Sequence, residues 1–190
     1  FIAAWMLGPR LGRYENGTKP LPLGNPTSCI VGLYILWWGW LAFNSGSTFG
    51  VSGAKWKFAA RAAVSTLIAS IGGGLVGSVW TLIKPGRIFE VMDIVNPILG
   101  ALVGVTAGCA LYHTVDAFVV GAIGAAVVIV TNPIADSLRV DDPVGATAVH
   151  AFGGFWGLVA VALFAEEDEG LGFTKGHAGL FRGLKIFKFE

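Results

Sequence analysis

Long apolar stretches dominate this chain, and they leave few folds open to it. They lie near 28–48, 58–83, 97–112, 115–134 and 143–165, and a shorter apolar run occupies 1–8. A helix needs about 20 apolar residues to cross a bilayer. Lipid offers no partners to backbone polar groups, so helices are the expected form of such runs. The sequence therefore predicts an all-α fold, a polytopic membrane helix bundle.

The composition agrees with this prediction. Of the 190 residues, 54% are hydrophobic and 13% are charged, and the mean hydropathy is +0.70. A soluble domain carries roughly twice that share of charged residues. The connectors between the apolar runs are short, so we expect one domain over 1–190. The chain opens inside an apolar run without an initiator Met, which predicts a fragment of a longer protein, cut within a helix.

Basic residues are unevenly shared between alternate loops. The loops at 9–27, 84–96 and 135–142 hold six of them: Arg10, Arg13, Lys19, Lys84, Arg87 and Arg139. The opposite side holds three before the C-terminal tail: Lys55, Lys57 and Arg61. This excess predicts that the first set of loops is cytoplasmic. Four more in the tail, on the opposite side, weaken the signal: Lys175, Arg182, Lys185 and Lys188.

Breaker residues and glycines suggest where helices end and where they touch. Asn96-Pro97 and Asp142-Pro143 are typical of connectors. The segment 72–77 matches the nucleotide-binding pattern G-x-G-x-x-G, but it lies inside an apolar run with no strand before it. Close helix packing explains it better, and the same holds for Gly100, Gly104 and Gly108.

Several functional classes find no support in the residues. Cys29 and Cys109 both lie in apolar runs and are expected to be packing residues. No cluster of His, Cys, Asp and Glu has the spacing of metal ligands, and no nucleophile stands beside a base. A basic stripe that would bind nucleic acid is also missing. We therefore expect no cofactor, no metal, no nucleic-acid partner and no enzymatic activity.

His150 is the most informative single residue, because it is the one ionisable group between Val144 and Phe164. An ionisable group inside a membrane span is a functional-site candidate by default. The alternative is a buried histidine that bonds to a neighbouring helix. The residues around it are small and would allow tight packing or a narrow path past the ring: Gly145, Ala146, Ala148, Ala151, Gly153, Gly154 and Gly157. Asp141 and Asp142 precede this span and are expected to serve the helix start.

The segment 36–47 is a second candidate. Aromatic residues, among them Trp40 and Phe43, are followed there by small polar residues that end at Ser47. One interpretation is an aromatic belt at the membrane interface, with Asn and Ser capping the helix. The other is a cation site, in which an aromatic face attracts the cation and a hydroxyl accepts one of its N–H bonds.

Taken together, these segments resemble the ammonium transporter family (Amt/MEP, relatives of the Rhesus proteins). The matching segments follow the family's order and cover most of the chain: 7–13, 38–47, 100–109 and 140–157. The resemblance implies an eleven-helix protomer, of which this chain supplies the end of helix 5 and helices 6–10. It also implies a homotrimer with one pore per subunit. One departure is Ala107, where many members have Pro, and we expect it to alter a local kink more than the pore.

The resemblance also assigns roles to residues. His150 corresponds to the second of two pore histidines, Phe43 to one phenylalanine of an aromatic gate and Ser47 to the outer ammonium site. Trp40 corresponds to a tryptophan that lines the pore. Ammonium would be recruited at the outer site, lose its proton and pass as ammonia along a hydrophobic pore past His150. Membrane lipid surrounds the protein, and the plasma membrane is the expected location.

Three rival functions stay open. An ammonium sensor would use the same site to signal without significant flux, and a Rhesus-like channel would pass ammonia gas. A membrane-embedded enzyme or structural subunit with a buried histidine is a rival from another class. It would need a second polar catalytic group in a span, and the sequence offers none.

Overall fold

A computed structural model of the chain describes residues 1–15, 21–86, 88–168, 170, 172 and 174–183. The described part of the chain is helical, as the apolar runs predict. Its elements are α1 (Ile2–Leu7), α2 (Pro26–Gly46), α3 (Ala54–Ile83), α4 (Met92–Thr106), α5 (Thr114–Ser137), a π-helical turn (Thr147–Phe152) continuous with α6 (Gly153–Phe164), and α7 (Leu180–Gly183).

Four of these helices are long and apolar enough to cross a membrane. They are α2, α3, α5 and the combined segment Thr147–Phe164, while α4 is a shorter apolar helix of 15 residues. The structure shifts several predicted boundaries by a few residues. In particular, the last span begins at Thr147 rather than at 143, and α5 runs to Ser137 rather than to 134.

The helix α4 corrects the interpretation of Asn96-Pro97 as a connector. The helix begins at Met92, runs through both residues and ends at Thr106 rather than at 112. Pro97 is the sixth residue of α4, beyond the first turn, so it removes one intrahelical hydrogen bond, the one to the Asp93 carbonyl oxygen. The helix gains packing there. A Cβ atom on Gly77 of α3 would lie only 2.9 Å from the Asp93 carbonyl oxygen.

Close glycine contacts join α3, α4 and α5 into the core. A Cβ atom on Gly73 would lie 2.6 Å from Ala101 Cβ, and one on Gly121 would lie 2.4 Å from the Ala69 carbonyl oxygen. A Cβ atom on Gly100 would likewise lie too close to the side chain of Val128 on α5. These distances are too short for a side chain, so the helix-packing interpretation is confirmed at Gly73 and Gly100. It is wrong at Gly108, which lies beyond the end of α4 and meets Tyr112 of the following turn.

Charged pairs mark the two ends of the bundle. At one end, which we call the Arg10 end, Arg10 and Arg13 bond to Asp141 and Asp136. The predicted loops 9–27 and 135–142 therefore do lie on the same side. At the opposite end, the Glu166 end, Glu166 accepts a hydrogen bond from Arg61, and its other carboxylate oxygen lies 2.9 Å from His113 Nε2. The basic residues Lys19, Arg87, Lys185 and Lys188 lie outside the described residues.

The Arg10–Asp141 ion pair makes the stability of the Arg10 end depend on pH. Hydrogen bonds from the Arg10 guanidinium hold the pKa of Asp141 at about 2, below its ordinary 3.8. A carboxyl with a lowered folded-state pKa stabilises the protein above its unfolded pKa, and this contribution is lost as pH falls from 3.8 towards 2. The Asp141 side chain is only 3% exposed. An Asn side chain at this position would lose the ion pair with Arg10, and water could not replace it freely.

We therefore expect Asp141→Asn to lower the thermal midpoint in detergent at pH 7, by roughly a few degrees. The difference from the wild type should shrink between pH 4 and pH 2, where Asp141 itself becomes protonated. Thermal unfolding followed by circular dichroism at several pH values measures both effects. A difference that stays constant from pH 7 to pH 2 would contradict the role of the ion pair.

Candidate functional site

An apolar groove of about 660 Å³ runs between α2, α4 and the segment that carries His150. Three of the four predicted site residues line it together. Its ten lining residues are Ile35, Leu36, Gly39, Trp40, Phe43, Val103, Thr106, Ala107, His150 and Gly154. His150 is the one ionisable residue among them, so the groove is an apolar path with a single titratable side chain.

His150 lines the groove from a segment with an unusual backbone conformation. It lies in the π-helical turn, and π-helical turns within α-helices occur frequently at functional sites. Its neighbours Ala148 and Val149 are buried, whereas His150 is exposed. None of the other described residues forms a hydrogen bond with the imidazole. The described part of the chain therefore offers no neighbouring helix that bonds to the imidazole.

The π-helical turn is fixed at its start by Asp142. The carboxylate accepts hydrogen bonds from the backbone N–H groups of Ala146 (3.0 Å) and Thr147 (2.7 Å), which confirms its helix-start role. Burial raises the pKa of Asp142, but these hydrogen bonds outweigh it, so the net pKa lies below 3.8. Gly145, just before, has φ +69°, a conformation that side chains disfavour.

Trp40 is held against the groove wall by a polar network. Its indole N–H donates to Thr106 Oγ1 at 2.8 Å, and Asn44 Nδ2 donates to Thr66 Oγ1 at 2.8 Å and to Thr106 Oγ1 at 3.4 Å. Both threonine hydroxyls in turn donate to carbonyl groups of their own helices, Leu102 and Ala62. The network therefore uses up the hydrogen-bonding groups of Trp40 and leaves its ring to form an apolar wall.

Asn44 differs from the helix cap that one interpretation of the sequence offered. The side chain is 1% exposed and lies inside α2. Ser47 does stand at the helix end, where its hydroxyl donates to the Phe43 carbonyl oxygen at 2.7 Å. Because that bond engages the hydroxyl proton, the Ser47 oxygen keeps the capacity to accept from a ligand. Ser47 is exposed one turn beyond Phe43, and it does not line the groove.

Sequence reasoning missed Thr106 as a site residue and underestimated Ala107. Both line the groove. A polar residue in the apolar segment 97–112 was a usable signal for Thr106, since buried polar groups require partners. Ala107 ends α4 with helical φ and ψ and forms part of the groove wall.

A multi-pass helical membrane bundle with an apolar groove and one ionisable side chain has the features of a channel or transporter. The comparisons name the family. A sequence model of the Ammonium Transporter Family matches residues 1–188, and this chain belongs to that family. Its members are transporters and not enzymes.

Individual relatives agree with the family match. The chain is 39% identical over 190 residues to "Putative ammonium transporter 3" of Caenorhabditis elegans, covering 100% of this chain and 27% of the relative. It is 35% identical over 170 residues to "Ammonium transporter 1 member 1" of Arabidopsis thaliana, covering 84% and 34%. The chain thus spans about a third of the length of these relatives.

Solved structures show the same fold. A protein named "Sensor Amt Protein" matches with a TM-score of 0.79 and 31% identity, over 86% of this chain and 40% of that one. Mep2 of Saccharomyces cerevisiae matches with a TM-score of 0.75 and 28% identity, over 86% and 36%. The all-α, ammonium-transporter-like fold predicted from the sequence is therefore confirmed.

The network around Thr106 predicts a measurable stability difference. Thr106→Val keeps the shape of the side chain but leaves the Trp40 N–H and one Asn44 N–H without their acceptor. An unpartnered buried donor costs about 1–3 kcal/mol, so we expect a loss of that size. Chemical or thermal unfolding in detergent measures it.

Thr131→Val is the matched control. The Thr131 hydroxyl donates to the carbonyl group one turn earlier, at Val127, as Thr106 does to Leu102. It accepts no hydrogen bond from another helix among the described residues, so its loss should cost little. Equal destabilisation by the two variants would contradict the account of the network, and Thr106→Ser should retain most of the stability.

Proposed function

We propose that this chain forms part of an ammonium transmembrane transporter. The observation that carries the proposal is the shared groove: His150, Phe43 and Trp40 line one apolar path, and the imidazole is exposed there. The names of the relatives support ammonium as the substrate. Because the chain spans about a third of their length, the activity belongs to the gene product that contains these residues.

The groove favours ammonia over ammonium along its length. Moving an ion into an apolar path costs the desolvation of a full charge, which favours release of the proton. Neutral ammonia carries no such penalty. Potassium has no proton to release, so the same path excludes it. The groove walls offer few competing polar groups, since the Trp40 N–H is already bonded to Thr106.

Phe43 and Ser47 provide a candidate recruiting site before the groove. The ring face of Phe43 attracts a cation, and the Ser47 oxygen accepts one N–H bond of ammonium. His150, without a partner among the described residues, then exchanges a hydrogen bond or a proton with the passing species. This sequence of events follows the order of the side chains from the end of α2 into the groove.

The surroundings of the protein are part of the same proposal. We infer a homotrimer with one pore per subunit, embedded in membrane lipid, with the plasma membrane as its location. Exposed apolar side chains on α2, such as Tyr34, Ile35 and Trp38, require cover by lipid or protein. Mass measurement in detergent and localisation of a tagged gene product test these two points.

The role of His150 is tested by His150→Ala in the gene product that contains this chain, reconstituted in liposomes. We expect loss of ammonium flux or loss of its coupling to proton movement, because the single ionisable group of the groove is gone. Isotope-labelled ammonium uptake and a pH-sensitive dye report the two quantities.

His113→Ala is the control, because His113 lies at the Glu166 end and outside the groove. It should leave flux close to the wild-type value. Unchanged flux and unchanged exclusion of potassium in His150→Ala would overturn the proposed role.

An ammonium sensor is the second candidate, and the similarity to the structure named "Sensor Amt Protein" favours it. A sensor would bind ammonium at the same groove and pass little of it. Ammonium-dependent thermal stabilisation of the purified gene product, without flux in liposomes, would support the sensor. Stabilisation together with flux would support the transporter.

A further inference from the structure

Arg139 is an exposed basic residue at the Arg10 end, directly after α5 and its cap. Its guanidinium forms no ion pair and no hydrogen bond with any described residue. The other described basic side chains at this end all have acidic partners: Arg10, Arg13 and Lys84. Arg139 is therefore the one basic side chain in this part of the described structure whose charge is not balanced.

The acidic residues closest to Arg139 in the sequence do not neutralise it. Three carboxylates lie within three residues of it: Asp136, Asp141 and Asp142. Basic side chains bond to the first two, and backbone N–H groups of the π-helical turn bond to the third. The guanidinium of Arg139 thus keeps all of its N–H donors for an anion from outside the described chain.

Arg139 also adopts a backbone conformation in which glycine is usual. Its φ is +54°, and its N–H donates to the Asp136 carbonyl oxygen at 3.0 Å. The N–H of Val140 donates to the Ala135 carbonyl oxygen at 2.9 Å. These two bonds form the Schellman motif, which ends many helices with a left-handed glycine. A side chain is disfavoured in that conformation, so the end of the helix alone does not account for an arginine.

An exposed apolar face of α5 leads up to Arg139. Val130, Ile134 and Leu138 follow one another at intervals of four residues, and they are 75%, 37% and 59% exposed. Side chains four residues apart lie on the same face of a helix. Because α5 is long and apolar enough to cross a membrane, this face is suited to contact with acyl chains, with Arg139 at its polar end.

We propose that Arg139 and the apolar face of Val130, Ile134 and Leu138 form a binding site for an anionic phospholipid. The planar guanidinium binds the phosphate through parallel N–H···O bonds, and the acyl chains cover the apolar face. The excess of basic loop residues predicts that the Arg10 end is cytoplasmic, and anionic lipids concentrate in that leaflet. The proposal depends on the membrane location of the protein and not on the transported substrate.

Phosphatidylglycerol is the probe, and phosphatidylcholine, which has no net charge, is the reference lipid. The gene product that contains this chain would be titrated with each lipid in detergent, and native mass spectrometry would count the bound molecules. We expect Arg139→Gln to bind phosphatidylglycerol about fivefold more weakly than the wild type, the loss typical of one basic residue at an anionic surface. Binding of phosphatidylcholine should change little. Equal affinity of the two proteins for phosphatidylglycerol would overturn the proposal.

Lys57→Gln is the matched control. Lys57 is also exposed and without an ion pair among the described residues, but it lies on α3 at the Glu166 end. Its replacement removes the same charge and should leave the affinity for phosphatidylglycerol close to the wild-type value. A loss as large as that of Arg139→Gln would mean that the lipid responds to net charge, and the site would be wrong.

Glycerol phosphate tests whether the occupant is a lipid or a free phosphate. It carries a phosphate group but no acyl chains, so it should not displace phosphatidylglycerol when the two are present at equal concentration. Displacement under these conditions would show that the apolar face contributes nothing, and it would overturn the lipid as the occupant.

Two more substitutions separate lipid binding from the strained end of the helix. Arg139→Gly suits the left-handed conformation, so it should raise the thermal midpoint in lipid-free detergent and weaken lipid binding as Arg139→Gln does. Arg139→Lys keeps a cation at the C-terminus of α5, where the helix dipole favours one, but loses the planar fork. Its affinity should lie between those of Arg139→Gln and the wild type. Wild-type affinity in Arg139→Gly would contradict the role of the guanidinium.

A structure of the gene product in nanodiscs that contain phosphatidylglycerol would locate the occupant directly. We expect phosphate density against Arg139 and acyl-chain density along α5, whereas a second copy of the chain on this face would overturn the proposal. His150→Ala should lose coupled flux and keep the wild-type affinity for phosphatidylglycerol. The lipid site and the transport function can therefore fail independently of each other.

Discussion

The structure depends on how closely α3, α4 and α5 approach one another. Glycines at the contacts bring backbone to within van der Waals distance of the facing helix, as at Gly73 against Ala101 and Gly121 against Ala69. Close backbone approach gives extensive dispersion contact where lipid removes most of the hydrophobic driving force between helices. The three-helix core then supports α2 on one side and α6 on the other, and α4 becomes the common wall on which the groove is built.

The groove is apolar because its polar neighbours are already occupied. Thr106 accepts from Trp40 and Asn44 and donates to Leu102, so the Trp40 indole N–H and the Thr106 hydroxyl are already hydrogen-bonded within the protein. His150 is treated differently, since no described residue satisfies its imidazole. The fold therefore engages Trp40 and Thr106 in hydrogen bonds and leaves the His150 imidazole exposed. That contrast supports the proposed role of His150 in the groove.

The sequence predicts the helices well because their signal is local. Apolar runs of spanning length can form little else in lipid, and α2 and α3 begin and end close to the predicted positions. Proline and Asp-Pro signals are less reliable, because packing decides the boundary. At Asn96-Pro97 the contact with Gly77 extends α4 past the proline, and Gly145 delays the last helix to Thr147.

The sequence predicted those site residues that can be recognised one at a time. His150 is conspicuous because it is ionisable in an apolar run, and Phe43 and Trp40 were found through the family resemblance. Thr106 was missed, because its role depends on a partner that is distant in sequence: it receives a donor 66 residues away.

Two adjacent carboxylates connect the Arg10 end to the groove. Asp141 pairs with Arg10, in the segment that follows α1, while Asp142 caps the π-helical turn that carries His150. A shift of Asp141 would move Asp142 with it, because one peptide bond separates them. The start of the π-helical turn, which carries His150, is thus tied through two adjacent residues to a segment 131 residues away.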